Sequence, residues 1–189
     1  MKILFRLFLL ALAVAALASC NSKNELMPLN KGNLWIYYAE RFDSLGNVYF
    51  STYYYETIIG DSTIGNDKAF VKRNASMRSR SELLLNTKDG LSVLQKDSSK
   101  GIAFKYPLNV GETYINKDFD TVKLTASDKE ITTKAGSFKC LEYEVKSSVF
   151  RQLYYVCPGV GIIRKDEYLL VDGADMPLMR SQLTKYVIN

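Results

Sequence analysis

Val48-Tyr49-Phe50-Ser51-Thr52-Tyr53-Tyr54-Tyr55-Glu56-Thr57-Ile58-Ile59 decides the fold class of this chain. Aromatic and β-branched side chains fit a pleated, half-buried surface and lose χ1 freedom in a helix, so the run predicts a strand. On that strand Tyr53 and Tyr55 share one face and Tyr54 takes the other. Upstream, Leu34-Trp35-Ile36-Tyr37-Tyr38 has the same character. Asp43-Ser44-Leu45-Gly46-Asn47 between them is turn chemistry, and the two runs predict a hairpin.

The pattern continues along the chain. Ala69-Phe70-Val71 is a short apolar run, and Leu83-Leu84-Leu85 and Leu91-Ser92-Val93-Leu94 flank Asp89-Gly90. Asp-Gly between apolar runs predicts a type I′ hairpin, in which both central residues take positive φ. Strands are also predicted over Val122 to Thr133, Phe138 to Val145, Val149 to Cys157, Val160 to Ile163 and Leu183 to Ile188. Residues 75–82 read as one short helical turn. The result is an all-β, single antiparallel domain of about ten strands, arranged as a curved sheet, barrel or sandwich. No Pro/Ser-rich linker divides it.

One phrase occurs twice. Pro28-Leu29-Asn30-Lys31-Gly32 precedes Trp35, and Pro107-Leu108-Asn109-Val110-Gly111 precedes Tyr114. Each predicts a tight turn using proline's fixed φ and glycine's freedom, followed by an aromatic directed into the core. The interval also permits two related half-domains.

The N-terminus is of another kind. Lys2 and Arg6 precede an apolar run from Leu7 to Leu17, which is short of the roughly 20 residues a membrane helix needs. Leu17-Ala18-Ser19-Cys20 resembles the lipobox of bacterial lipoproteins. The resemblance implies cleavage before Cys20, a diacylglyceryl thioether on its sulfur and an added acyl chain such as palmitate. Two or more chains hold a protein durably in a bilayer. Asn21 stands where an Asp retains such proteins in the inner membrane, so the outer membrane is expected. The expected organisation is a signal peptide over 1–19, a lipidated tether over 20–27 and a β-rich domain over 28–189. Lys2 and Arg6 leave with the signal peptide, which takes the net charge from +5 to +3. With no dense basic block, nucleic acid is not an expected partner.

The chain contains no histidine. That removes His-based triads, His acid–base chemistry and the usual zinc sites, and no cofactor is expected. With Cys20 lipidated, Cys140 and Cys157 form a pair that an oxidising compartment favours bridging. Register decides whether they can. A two-residue loop at Ser147-Ser148 sets the sulfurs diagonally and pairs Glu144 with Arg151. A four-residue loop, Ser147 to Phe150, sets Cys140 directly opposite Cys157, and a three-residue loop puts them on opposite faces. A bridge would close about 18 residues and contribute on the order of 3 kcal/mol.

Three groups of residues also resemble a family. Gly32-Asn33-Leu34-Trp35-Ile36-Tyr37, Ala135-Gly136-Ser137-Phe138-Lys139-Cys140 and Tyr155-Val156-Cys157-Pro158-Gly159-Val160-Gly161-Ile162-Ile163 look like exported lipoproteins common in Bacteroidota. The resemblance implies a β-rich exported domain without an assigned enzyme activity, similar in character to the curved-sheet lipoprotein carriers (LolA/LolB-like). It supplies no catalytic residues.

The expected function is therefore non-enzymatic. A sheet lined by Trp35, Tyr37, Leu141 and Tyr143 is expected to enclose an apolar ligand or meet an envelope protein. The alternative is a carbohydrate- or protein-binding surface built on exposed tyrosines of the Tyr53-Tyr54-Tyr55 run. A carboxylate hydrolase drawn from Asp118, Asp120, Asp128, Glu142 and Glu144 ranks third.

Overall fold

A computed structural model describes residues 25–75, 80–95, 97–118 and 120–189. Cys20 and most of the tether lie outside the described residues, as do residues 76–79 of the expected helical turn. Ala75 and Arg80 to Glu82, the rest of that turn, are strand.

Among the described residues, twelve strands form one antiparallel sheet. They are β1 (Leu34–Phe42), β2 (Val48–Ile64), β3 (Asp67–Ala75), β4 (Arg80–Thr87), β5 (Gly90–Leu94), β6 (Lys100–Lys105), β7 (Thr113–Ile115), β8 (Thr121–Thr133), β9 (Gly136–Lys146), β10 (Phe150–Cys157), β11 (Gly161–Val171) and β12 (Ala174–Val187). The spatial order is β6-β5-β4-β3-β2-β1-β12-β11-β10-β9-β8-β7. The chain thus makes two six-strand meanders, joined where β1 pairs with β12.

The sheet curls until β6 and β7 face each other across a seam that no ladder closes. Lys117 N–H donates to Ile102 O at 2.9 Å, and the Tyr114 hydroxyl donates to Ala103 O at 2.9 Å. The Tyr143 hydroxyl crosses to Lys105 O at 2.8 Å. The domain is a nearly closed barrel. Gly101 permits the seam, because a Cβ there would stand 2.5 Å from Lys117 Cβ. Gly101→Ala is expected to cost about 1–3 kcal/mol by overpacking. Gly60→Ala, where a Cβ meets nothing within 4 Å, is expected to stay within about 0.5 kcal/mol. Urea midpoints of the two variants check this.

The twelve strands exceed the ten read from sequence by β6 and β7. The Asp89-Gly90 hairpin forms, but Thr87 pairs with Gly90, so Lys88 and Asp89 are its central residues. Neither has positive φ among the described residues, so the turn is not type I′. Gly90 instead takes φ +118° and lies against the backbone at Phe104 O of β6 and at Tyr106 N just beyond it, where no Cβ fits. The repeated phrase is the same turn twice. Asn33 N–H donates to Asn30 O and Glu112 N–H to Asn109 O, each at 3.1 Å, with Gly32 and Gly111 at φ +90° and +95°. Each copy opens one meander.

The interior divides by level. At the end where β1 starts and β12 finishes, Trp35, Ile58, Leu124, Tyr143, Ile163 and Leu183 fill it completely. The segment before β1 plugs this end. Leu26, Met27 and Leu29 are buried, Gly159 N–H donates to Glu25 O, and Asn86 Nδ2 donates to Met27 O. Leu26 and Met27 therefore belong to the domain and not to the tether. Their apolar side chains cap a core that would otherwise open to water.

Candidate functional site

Beyond this filled end the barrel is hollow. A cavity of about 930 Å³ opens at the opposite end of the strands, within the size range of ligand sites. Its floor is apolar and aromatic, with Met27, Leu84, Leu91 and Phe104. Tyr37 and Tyr54 stack on its wall with ring centroids 5.1 Å apart. They meet because β1 and β2 pair them directly. Arg41, Phe50 and Arg80, near the ends of their strands, lie toward the mouth, with Asp120 just before β8 and with Met179, which pairs with Arg41.

The wall also carries buried charge. Lys72 Nζ lies 3.2 Å from Glu56 Oε2 and 3.3 Å from Glu82 Oε2. Asn74 Nδ2 donates to Glu56 Oε1 at 3.0 Å. One cation between two carboxylates leaves this cluster with a net negative charge. Across the barrel Lys165 lies 2.6 Å from Glu167 and 4.9 Å from the centre of the Tyr154 ring. Burial acts to lower the pKa of both lysines. The carboxylates around Lys72, and Tyr154 with Glu167 around Lys165, outweigh it and hold both above the ordinary range. Burial, reinforced by Glu56, keeps the Tyr37 hydroxyl protonated well beyond its usual range. Burial pushes Tyr54 up to about 12.

Two buried acceptors on this wall are open. Asn74 Oδ1 and Ser181 Oγ have no hydrogen-bond partner among the described residues. Ser181 is 2% exposed, and its hydroxyl lies close enough to that of Tyr54 to lower the Tyr54 pKa against the effect of burial, so Asn74 Oδ1 is the more fully open of the two. A buried polar atom left unpaired costs about 1–3 kcal/mol. Both line the cavity, where a bound molecule would satisfy them.

Of the four residues expected to line a ligand, Tyr37 is the one on the cavity wall, and its hydroxyl donates to Ile162 O at 3.0 Å. Trp35, Leu141 and Tyr143 are buried in the packed end instead. The Trp35 indole N–H is committed to Val160 O at 2.7 Å. Glu56, Lys72, Asn74, Lys165 and Ser181 escaped the sequence reading. Their signal is parity: Glu56 falls in step with Tyr54 and Ile58, a charge on an otherwise inward face. Of the carboxylates considered for hydrolysis, Asp118 and Asp120 line the cavity, and Asp128, Glu142 and Glu144 do not. Glu144 binds Arg151, Glu142 accepts from Thr125, and Asp118 pairs with Lys117. Tyr53 and Tyr55 point outward, 59% and 45% exposed.

Cys140 is buried and Cys157 half-buried, both as free thiols. Lys146 pairs with Arg151 and Leu141 with Val156, which is the register of the four-residue loop. Glu144 and Arg151 still meet, diagonally, in an ion pair.

No protein-family model matches the chain, and no curated protein matches it. Two solved structures are similar. One is a protein of Bacteroides fragilis described as exported and as having a YmcC-like fold. It has TM-score 0.54 and 13% identity, and the match covers 87% of this chain and all of that one. The other, from Parabacteroides distasonis, is described as a lipoprotein. It has TM-score 0.53 and 13% identity, with 87% and 99% covered. The chain has the YmcC-like fold: an all-β, antiparallel, nearly closed barrel.

Proposed function

We propose that this protein is a lipid-anchored component of the bacterial cell envelope, most simply the outer membrane, that binds a small amphiphilic ligand in its barrel without transforming it. The Leu17-Ala18-Ser19-Cys20 run and the exported and lipoprotein descriptions of the two similar structures support the address. The carrying observation for binding is the open cavity with Asn74 Oδ1 unpartnered on its wall.

The lining revises the expected ligand. An apolar molecule suits the floor but would leave Asn74 Oδ1 unpaired. A ligand with an apolar body and a head rich in hydrogen-bond donors, such as an ammonium or several hydroxyls, suits both levels. The Glu56 and Glu82 carboxylates on this wall offer such a head further acceptors. Tethering supports a direction. Glu25 sits at the plugged end, five residues from Cys20, a reach of roughly 17 Å. The mouth lies at the other end, so the ligand enters from the aqueous side and not from the anchoring bilayer.

The test is native mass spectrometry of the lipidated protein extracted from membranes in mild detergent. A bound non-protein mass is expected on the wild type. It should be depleted in Ser181→Ala and Asn74→Leu, with thermal melting confirming that both fold. A wild type that carries nothing, or variants that retain the same mass at full occupancy, would defeat the reading. A second reading rests on Tyr49, Tyr53 and Tyr55, exposed at 64%, 59% and 45% along the outside of β2. They would serve a carbohydrate or envelope-protein surface. A mass lost on Tyr53→Ala/Tyr55→Ala but kept in the cavity variants would favour it.

A further inference from the structure

The far half of the β8–β9 hairpin does not continue the barrel wall. Its register breaks twice between Leu124 and Lys129, and beyond that it crosses toward β11 and β12. There Phe138 meets the Tyr186 ring edge-on at 6.1 Å, and Lys134 lies 5.6 Å over Tyr38. Cys140 is fully buried in this region, on the face of β9 opposite Tyr143 and Val145.

The geometry of the thiols follows from the hairpin turn. Ser147 N–H donates to Phe150 O at 2.9 Å, so Ser147 and Phe150 form a hydrogen-bonded pair. The β9–β10 ladder runs from there to Leu141–Val156 without a register shift. Hydrogen-bonded and non-hydrogen-bonded pairs alternate, which makes Leu141–Val156, the last pair of the ladder, hydrogen-bonded; Cys140 and Cys157 stand one residue beyond it, where the same alternation would make them a non-hydrogen-bonded pair. In such pairs the Cα atoms stand about 4.5 Å apart with side chains drawn together, inside the range a disulfide spans.

We infer that Cys140 and Cys157 are a cross-strand disulfide in the exported protein, formed during folding by exchange with a disulfide-bearing oxidant. The Cys157 thiolate attacks the oxidant and forms a mixed disulfide. The Cys140 thiolate then displaces the oxidant. The two thiols lose two protons and two electrons, and the oxidant leaves as a dithiol. Cys157 is the entry point because it is half-exposed and Cys140 is not. Burial raises both thiol pKa values, Cys140 to about 12, so exchange is slow once the hairpin has closed. The bridge would lie next to Pro158-Gly159, whose Gly159 N–H holds Glu25 O where the tether leaves the barrel. It would brace the attachment point against pull from the membrane.

Protein isolated from the envelope is denatured in acid, alkylated without reductant and digested with trypsin. The expected product is a linked pair, Cys140–Lys146 joined to Gln152–Arg164, two hydrogens lighter than the separate peptides, with neither thiol alkylated. Reduction should release both peptides and lower the unfolding midpoint of the wild type to that of Cys140→Ser/Cys157→Ser. Signal-less protein made in a reducing cytosol should be fully alkylated on denaturation and oxidise slowly while folded. Stoichiometric alkylation of both cysteines in the envelope form, or linkage of either to another protein, would overturn the inference. None of these outcomes depends on whether the cavity holds a ligand.

Discussion

Trp35→Ala is expected to destabilise the domain by about 3–5 kcal/mol, a large part of the 5–15 kcal/mol that ordinarily holds a domain folded. Trp35 is fully buried on β1, beside Met27 and Gly161 at the plugged end. Its indole N–H donates to Val160 O across 125 residues of sequence. The substitution opens a cavity where the first strand, the N-terminal plug and the β10–β11 turn meet, and leaves Val160 O without that donor. Trp35→Phe keeps most of the packing and loses the hydrogen bond, so its cost should be smaller, about 1–3 kcal/mol. Urea unfolding followed by far-UV circular dichroism measures both, since the chain has one Trp and its fluorescence goes with it. A Trp35→Ala midpoint matching the wild type would remove the case that this junction organises the closed end.

Lys72→Met is the second large effect, expected at about 3 kcal/mol at neutral pH, the lower part of the 3–5 kcal/mol seen on breaking a buried pair. The lower figure applies because Glu82 is 42% exposed and partly solvated, whereas Glu56 and Lys72 are each 11% exposed. Removing the cation strands Glu56 in the cavity wall with Asn74 as its remaining partner. Glu56→Gln with Lys72→Met should recover most of the loss, because the buried charge is then gone. Acidification should also relieve the single variant by protonating the stranded carboxylate. In the wild type the sign is opposite and alkaline. The folded pKa of Lys72 is raised, so its stabilisation is complete below the unfolded value of about 10.4 and fades as pH rises through the folded one. Thermal melts of the three proteins across pH separate these outcomes. A double variant no better than the single would show that packing, not charge, sets the cost.

Tyr54 illustrates what could be read in advance. Its alternation with Tyr53 and Tyr55 is a property of any strand, so the split into a pair and a single was legible before any neighbour was known, whereas which of the two faces turns inward was not. β6 and β7 were not legible. Lys100-Gly101-Ile102-Ala103-Phe104-Lys105 carries small residues because the seam needs close approach, and β7 has three residues. Gly90 misled for a related reason: it answers to the approach of β6, not to its own turn.

The sequence by itself determined an all-β chain, its turns, its lack of histidine and the likeness of its N-terminus to a lipobox. Those are local matters of side-chain branching, turn chemistry and composition. Only the tertiary structure decided how the strands close and which inward residues meet. Curling the sheet brings β6 to β7 and sets Phe104 5.2 Å from Tyr143 and Tyr154, while packing Leu26 and Met27 fills one end. The other end stays hollow, with Glu56 and Lys72 on one wall of the cavity and Lys165 across from them. Alternation tells each strand which residues turn inward, but only closure of the barrel tells them what they face.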